Sequence, residues 1–91
     1  MSNFSFKFHC PNPNSKARLG ELKTPHGTVQ TPAFIFCATK AAIKSLHPQQ
    51  MKDEGTSFIL ANTYHLMLQP GPEIVEKSGG LHKFMGWDGP M

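Results

Sequence analysis

Two short apolar runs, AFIFCA at residues 33–38 and FILA at residues 58–61, decide the fold class of this chain. Neither run alternates with polar residues, and unbroken apolar runs are typical of strands covered on both faces in a parallel sheet. Between them, residues 48–54 begin with a proline at the tolerated first helical position, and Gly55 follows as a C-cap. The pattern predicts a β-α-β unit with parallel strands.

A second helix is predicted after the second run. Pro72 can start a helix over residues 73–77, and the glycines at 79–80 can end it. The predicted order is therefore β, α, β, α. Because the carboxyl ends of parallel strands lie at one edge of a sheet, residues 39–40 and 62–65 should be neighbours at the edge where such folds bind ligands.

The first 31 residues predict a small antiparallel sheet. Phenylalanines alternate with polar residues from Phe4 to Phe8, which is typical of a strand with one buried face, and this strand should end near residue 10. Two further strands at 17–23 and 28–31 flank the sequence TPHG at 24–27, which has turn chemistry.

Composition and charge narrow the class of protein. The chain has 91 residues, a formal net charge of +3, 38% apolar residues and 16% charged residues, which favours a folded, turn-rich chain. A chain of this length can bury only a modest core, and Phe84 and Trp87 should belong to it.

No stretch approaches the ~20 apolar residues that span a bilayer, so we expect a cytoplasmic protein with no membrane partner. Two parallel strands leave open edges, so the sheet looks unfinished.

The polar stretch Asn62-Thr63-Tyr64-His65 follows the second predicted strand and combines amide, hydroxyl, phenol and imidazole groups. Such groups can hydrogen-bond a heterocyclic base or order a water network. The alternative is structural: the stretch ends the strand and starts a turn, with His65 bonded to a backbone carbonyl. Both interpretations stay open on the residues alone.

Two lysines follow the first predicted strand. The spacing of Lys40 and Lys44 would place both on one helical face, where they could contact a phosphate or an acidic partner, and the bland alternative is two solvated lysines. Cys10 and Cys37 have no zinc or disulfide spacing, so reduced thiols are expected, with Cys37 as part of a pocket wall. No phosphate loop, nucleophile elbow or catalytic carboxylate pair occurs, so no catalytic residue is predicted.

Six short stretches of the sequence occur in the same order as in a known protein family. They are ARLG at 17–20, TPHG at 24–27, TPAF at 31–34, NTYHL at 62–66, QPG at 69–71 and GGLHKFM at 79–85. Together they resemble the tRNA-guanine transglycosylases, also called queuine tRNA-ribosyltransferases, over nearly the whole chain. The resemblance implies an α/β fold in which an antiparallel β segment at 1–31 precedes a (β/α)8 TIM barrel. Residues 32–91 would then be the first two βα units of an incomplete barrel.

The resemblance also implies an activity for the parent enzyme. The family's pentosyltransferases exchange the wobble guanine of tRNA for queuine or a 7-deazaguanine precursor, through attack of an aspartate on C1′ of the guanosine. The implied partners are tRNA, the incoming base and a second subunit of a dimer. The family's catalytic aspartates and zinc ligands have no counterpart in this chain, so the 91 residues alone are expected to be inactive and to bind no zinc.

Only supporting positions carry over from the family. Asn62 and His65 resemble the polar residues around the active-site water network. Cys37 and Leu60 fall where the family lines its pocket near the bound nucleotide.

The loop after the first barrel strand also matches the family, and in the family this loop approaches the dimer partner. Thr39 is assigned to the substrate pocket, and Lys40 and Lys44 to a partner or phosphate contact. The family usually has Val-Gly-Thr where this chain has Cys37-Ala38-Thr39, and the missing glycine reduces the backbone conformations open to the loop.

Two other classes of function fit an unfinished sheet. A non-catalytic binding or oligomerising module would pair its open strand edges with itself or with a full-length partner. A basic RNA-binding module would instead bind tRNA with an affinity that falls steeply with salt.

Overall fold

A three-stranded antiparallel sheet opens the computed structural model, which describes residues 3–91. Strands β1 (Ser5–His9), β2 (Leu19–Thr24) and β3 (Gly27–Thr31) pair in that order. Leu22 of β2 lies opposite Phe6 on one side and opposite Val29 on the other. The antiparallel sheet expected within residues 1–31 is thus present, while residues 1–2 lie outside the described range.

The hairpin between β2 and β3 closes at the predicted turn. The hydroxyl of Thr24 donates to the carbonyl of Gly27 at 2.8 Å and accepts from the backbone N–H of His26 at 3.2 Å. Gly27 has a φ of +133°, where a side chain would be strained. The glycine is therefore what lets the chain reverse directly into β3.

The prediction of a buried face for β1 is wrong. Phe4, Phe6 and Phe8 are 62%, 58% and 58% exposed. The ring of Phe6 lies over Gly20, where an added Cβ would be 2.9 Å from the ring's Cε2 atom. Alternation identified the strand, but within residues 3–91 no element covers the face that carries these rings.

The β-α-β unit is present with parallel strands. It consists of β4 (Phe36–Cys37), α1 (Pro48–Asp53) and β5 (Ile59–Leu60), with Phe36 opposite Ile59. The backbone N–H of Ala38 extends the ladder by donating to the carbonyl of Leu60 at 2.6 Å. Helix α1 begins at the predicted proline.

The prediction that both apolar runs are covered on both faces is only partly correct. Ala38 and Ile59 are fully buried, whereas Phe34 is 72% exposed and Leu60 is 57% exposed. Two strands of two residues cannot enclose their own faces, so the side chains on the open side remain in solvent.

Three short helices follow β5: α2 (Thr63–Leu68), α3 (Pro72–Lys77) and α4 (Leu81–Met85). Helix α3 is the one predicted. The predicted order lacks α2 and α4, because the sequence pattern indicates a strand end at residue 62 and only a helix stop at the glycines at 79–80. Those glycines have φ values of +93° and +105°, and Gly80 is also the N-cap of α4. None of the described helices has the length and apolar character to cross a membrane.

The core lies between the parallel strands and the helices. Trp87 is 3% exposed, and its indole N–H donates to the carbonyl of Pro90 at 3.0 Å. The same carbonyl accepts from the backbone N–H of Ile59 at 3.3 Å, which ties the end of the described chain to the start of β5. Phe84 packs against this cluster, so the core positions predicted for Phe84 and Trp87 are confirmed. The buried cluster comprises Ala38, Ala41, Met51, Ile59, Leu66, Met85 and Trp87.

Candidate functional site

The carboxyl ends of β4 and β5 form one edge, as their parallel register requires. Cys37 lies opposite Leu60, so the segments that leave both strands start side by side. The ammonium of Lys40 donates to Oε1 of Gln69 at 3.4 Å and links the loop after β4 to the end of α2. Residues 39–40 are predicted to neighbour residues 62–65, whereas the hydrogen bond from Lys40 reaches Gln69, four residues beyond that stretch.

Asn62 is the N-cap of α2. Its Oδ1 accepts from the backbone N–H of Tyr64 at 2.9 Å, and its carbonyl accepts from the N–H of Leu66 at 3.1 Å. The cap needs only the oxygen of the amide, and the Nδ2 group carries two further donors. Asn62 therefore has a structural duty in α2 and a spare donor group at the exposed edge.

Tyr64 and His65 occupy the first turn of α2. Their ring centroids are 5.6 Å apart and the rings are tilted by 57°. Tyr64 is 61% exposed, whereas His65 is half-buried. Among residues 3–91, the imidazole of His65 makes no hydrogen bond to a backbone carbonyl, so the structural alternative considered for it is not observed.

The three residues predicted to line a pocket lie on an open surface of this edge. Cys37, Thr39 and Leu60 are all exposed. A thiol, a hydroxyl and an isobutyl group side by side can form one wall of a site for a partly apolar ring. Their role in a pocket stays a prediction.

The helical face predicted for Lys40 and Lys44 does not exist. Residues 38–41 and 43–46 form two separate turns, and Ala41 and Ser45 have φ values of +57° and +69°. These left-handed conformations interrupt a right-handed helix. Both lysines are exposed, and their contact with a phosphate or a partner stays a prediction.

A second polar site, which no sequence spacing indicated, lies near the amino end of β5. A cleft of about 390 Å³ there is lined by His26 of the hairpin, Lys52 of α1, His82 and Lys83 of α4, and Asp88. These residues come from three separate parts of the sequence, at positions 26, 52 and 82–88, so only the fold brings them together. We call this group the histidine cleft.

One exposed ion pair crosses the histidine cleft. The ammonium of Lys52 lies 2.7 Å from Oδ2 of Asp88. The hydrogen bond from Lys52 lowers the pKa of Asp88 below its ordinary value, with smaller contributions from the charges of Lys52 and His26. Asp88 is therefore a carboxylate at neutral pH.

The described residues do not fit the zinc ion that the resemblance implies for the family. Within residues 3–91, histidine, cysteine, aspartate and glutamate side chains form no group of three or more that could hold a metal ion. Cys10 and Cys37 are both free thiols. We assign no chemical step to a metal here.

Comparison with known proteins identifies the family. The family model described as queuine tRNA-ribosyltransferase matches residues 12–91. The queuine tRNA-ribosyltransferase of a Synechococcus species is 50% identical over the full chain, and that of Caldanaerobacter subterraneus is 55% identical over 97% of it. The chain spans 24% of the length of each of these two relatives. The enzyme of the same name from Latilactobacillus sakei is 58% identical over 79% of the chain, which covers 19% of that relative. The chain therefore belongs to the queuine tRNA-ribosyltransferase family.

Proposed function

We propose that the parent polypeptide, meaning the polypeptide that contains these residues, is a tRNA-guanine transglycosylase. It exchanges the wobble guanine of tRNA for queuine or a 7-deazaguanine precursor in the cytoplasm. The observation that carries the proposal is the family match over residues 12–91, with about half of the positions identical to relatives named queuine tRNA-ribosyltransferases.

The chain supplies one wall of the base-binding pocket in this proposal. Asn62 and His65 support the site from the start of α2, with Asn62 Nδ2 free to donate to a heterocyclic acceptor. Cys37, Thr39 and Leu60 line it from the strand ends. The placement is supported by the parallel register, since ligands in barrel folds bind at the carboxyl ends of the strands.

The two parallel strands are the first two of a (β/α)8 barrel in this proposal. Residues 32–91 would contribute two βα units, and residues 1–31 the preceding antiparallel segment. The exposed faces of Phe34 and Leu60 support it, because they are the side chains that neighbouring strands and helices would cover.

Residues 1–91 alone are inactive in this proposal. Base exchange needs a nucleophile at the sugar and an acid-base group at the departing base. The only acidic pairs of the described chain, Asp53-Glu54 and Glu73 with Glu76, lie at a helix end and on an exposed helix. The catalytic aspartates and the zinc ligands would lie in other parts of the parent polypeptide, while Lys40 and Lys44 would contact tRNA phosphates or the dimer partner.

Incorporation of labelled guanine into tRNA by the parent polypeptide tests the proposed activity. We expect label in a tRNA with guanosine at the wobble position and none in the same tRNA with adenosine there. A folded parent polypeptide that labels neither tRNA contradicts the proposal, and equal labelling of both contradicts the site of exchange.

A second candidate function is a non-catalytic module that oligomerises. It is favoured by the open hydrogen-bonding edges of β4 and β5 and by the exposed rings of β1. Size-exclusion chromatography of residues 1–91 at several concentrations should then show association that grows with concentration. A monomer at every concentration that also melts cooperatively contradicts this candidate.

A further inference from the structure

Two histidines stack where the N-terminal hairpin meets α4. The ring centroids of His26 and His82 are 3.6 Å apart, and the ring planes differ by only 7°. His26 is exposed at the tip of the turn, and His82 is half-buried. Gly27 of the hairpin also lies near Pro90, since a Cβ built on this glycine would be 3.6 Å from Cδ of Pro90. The stack therefore helps to hold the antiparallel sheet against the helices.

The backbone fixes the neutral tautomer of His82. Its Nε2 atom lies 2.9 Å from the carbonyl oxygen of Gly89. A carbonyl oxygen only accepts, so Nε2 carries the hydrogen and Nδ1 is the position for a second proton. Protonation of His82 keeps its bond to Gly89 and adds a positive charge directly against the ring of His26.

The charges around the stack permit one protonated ring more readily than two. A positive charge on His26 interacts with the Asp88 carboxylate, which is already paired with Lys52 at 2.7 Å. The carboxylate can therefore offset part of one additional positive charge, and a further one faces Lys52 and the first imidazolium.

We propose that the stack of His26 on His82 is a proton-sensitive clasp. It holds the hairpin against α4 while no more than one ring is protonated, and it opens when both rings are protonated. Two stacked cations at this distance repel, and histidine is the side chain that changes its charge between about pH 5 and pH 8. Opening releases the tip of the β2–β3 hairpin and leaves the parallel strands paired.

Nuclear Overhauser effects between the two rings test the clasp in the parent polypeptide labelled with ¹³C at histidine. We expect a ring-to-ring cross-peak at pH 8 that is lost at pH 5. A wild-type cross-peak of equal intensity at both pH values overturns the switch. The absence of a cross-peak at pH 8 overturns the closed state itself.

Two variants separate titration from a general loss of structure. His26→Phe keeps an aromatic ring on His82 but cannot be protonated, so its ring-to-ring cross-peak should persist at pH 5. Its loss at pH 5 overturns the proposal. Asp88→Asn keeps both histidines and removes the carboxylate that offsets positive charge beside them. The doubly protonated closed stack is then less stable, so the clasp should open at a higher pH than in the wild type. An unchanged or lower midpoint contradicts the electrostatic origin of the opening.

Discussion

Replacement of Asn62 by alanine removes the side-chain cap of α2. The lost hydrogen bond, from the N–H of Tyr64 to Oδ1 at 2.9 Å, is exposed, so water replaces part of it. Loss of an N-cap typically costs about 0.5–2 kcal/mol, and exposure places the expected cost in the lower half, at about 0.5–1 kcal/mol. In a domain of this size that corresponds to a fall in Tm of roughly 2–8 °C. Fraying of α2 also disturbs the packing of the core, because α2 carries the buried side chain of Leu66.

Urea denaturation followed by far-UV circular dichroism measures this cost. Asn62→Ser and Asn62→Asp are the matched controls, because both keep a side-chain oxygen that caps a helix. We expect both to remain within about 0.5 kcal/mol of the wild type, which is the usual range for substitutions that break no such contact. Equal stability of Asn62→Ala and the wild type, or an equal loss in Asn62→Ser and Asn62→Ala, would refute the cap as the stabilising contact.

The same variants separate the two duties proposed for Asn62. Asn62→Asp keeps the capping oxygen but loses the Nδ2 donor that we assign to the proposed base pocket. In the parent polypeptide it should fold normally and lower kcat/KM for base exchange on the order of tenfold, which is the size of one lost hydrogen bond. Unchanged kcat/KM would leave Asn62 with the structural duty alone.

Three further predictions concern the core, the sheet and the exposed ion pair. Trp87→Phe removes the indole donor to a backbone carbonyl at 3.0 Å and shrinks a buried ring, so thermal denaturation should show a loss of about 1–3 kcal/mol. Gly20→Ala places a Cβ 2.9 Å from Cε2 of Phe6 and should cost about 1 kcal/mol, and a double-mutant cycle should show a smaller cost in a Phe6→Ala background. The hydrogen bond from Lys52 lowers the pKa of Asp88 below 3.8, so the charged carboxylate of Asp88 stabilises the fold above pH 3.8. This stabilisation is lost as the pH falls through the lowered pKa. The difference in denaturation midpoint between the wild type and Asp88→Asn should therefore shrink as the pH falls below about 4, and a difference that grows would contradict the sign.

Local chemistry explains why much of the fold was predictable. Pro48 and Pro72 have the fixed φ of a first helical residue, and both helices begin at them. The turn at 24–27 closes the hairpin as its sequence indicates. The parallel pairing of β4 and β5 followed from apolar runs separated by a helix, which is a pattern with few topological solutions.

Features that depend on tertiary contacts or on ambiguous local signals were not predictable. Asn62 can end a strand or cap a helix, and it caps α2 two residues after β5 ends. The spacing of Lys40 and Lys44 suits a helix, but left-handed residues between and after them exclude it. The histidine cleft has no signal in the sequence, because the fold alone brings its members together. Exposure of the rings of β1 depends on which elements pack against them rather than on their alternation.

Base exchange measured side by side on the parent polypeptide and on residues 1–91 tests the central claim most directly. The chain belongs to a family of tRNA-ribosyltransferases, and we place the catalytic aspartates outside these residues. The account predicts that labelled guanine enters tRNA with the parent polypeptide and not with the isolated chain. Turnover by the isolated chain, or none by the folded parent polypeptide, would contradict it.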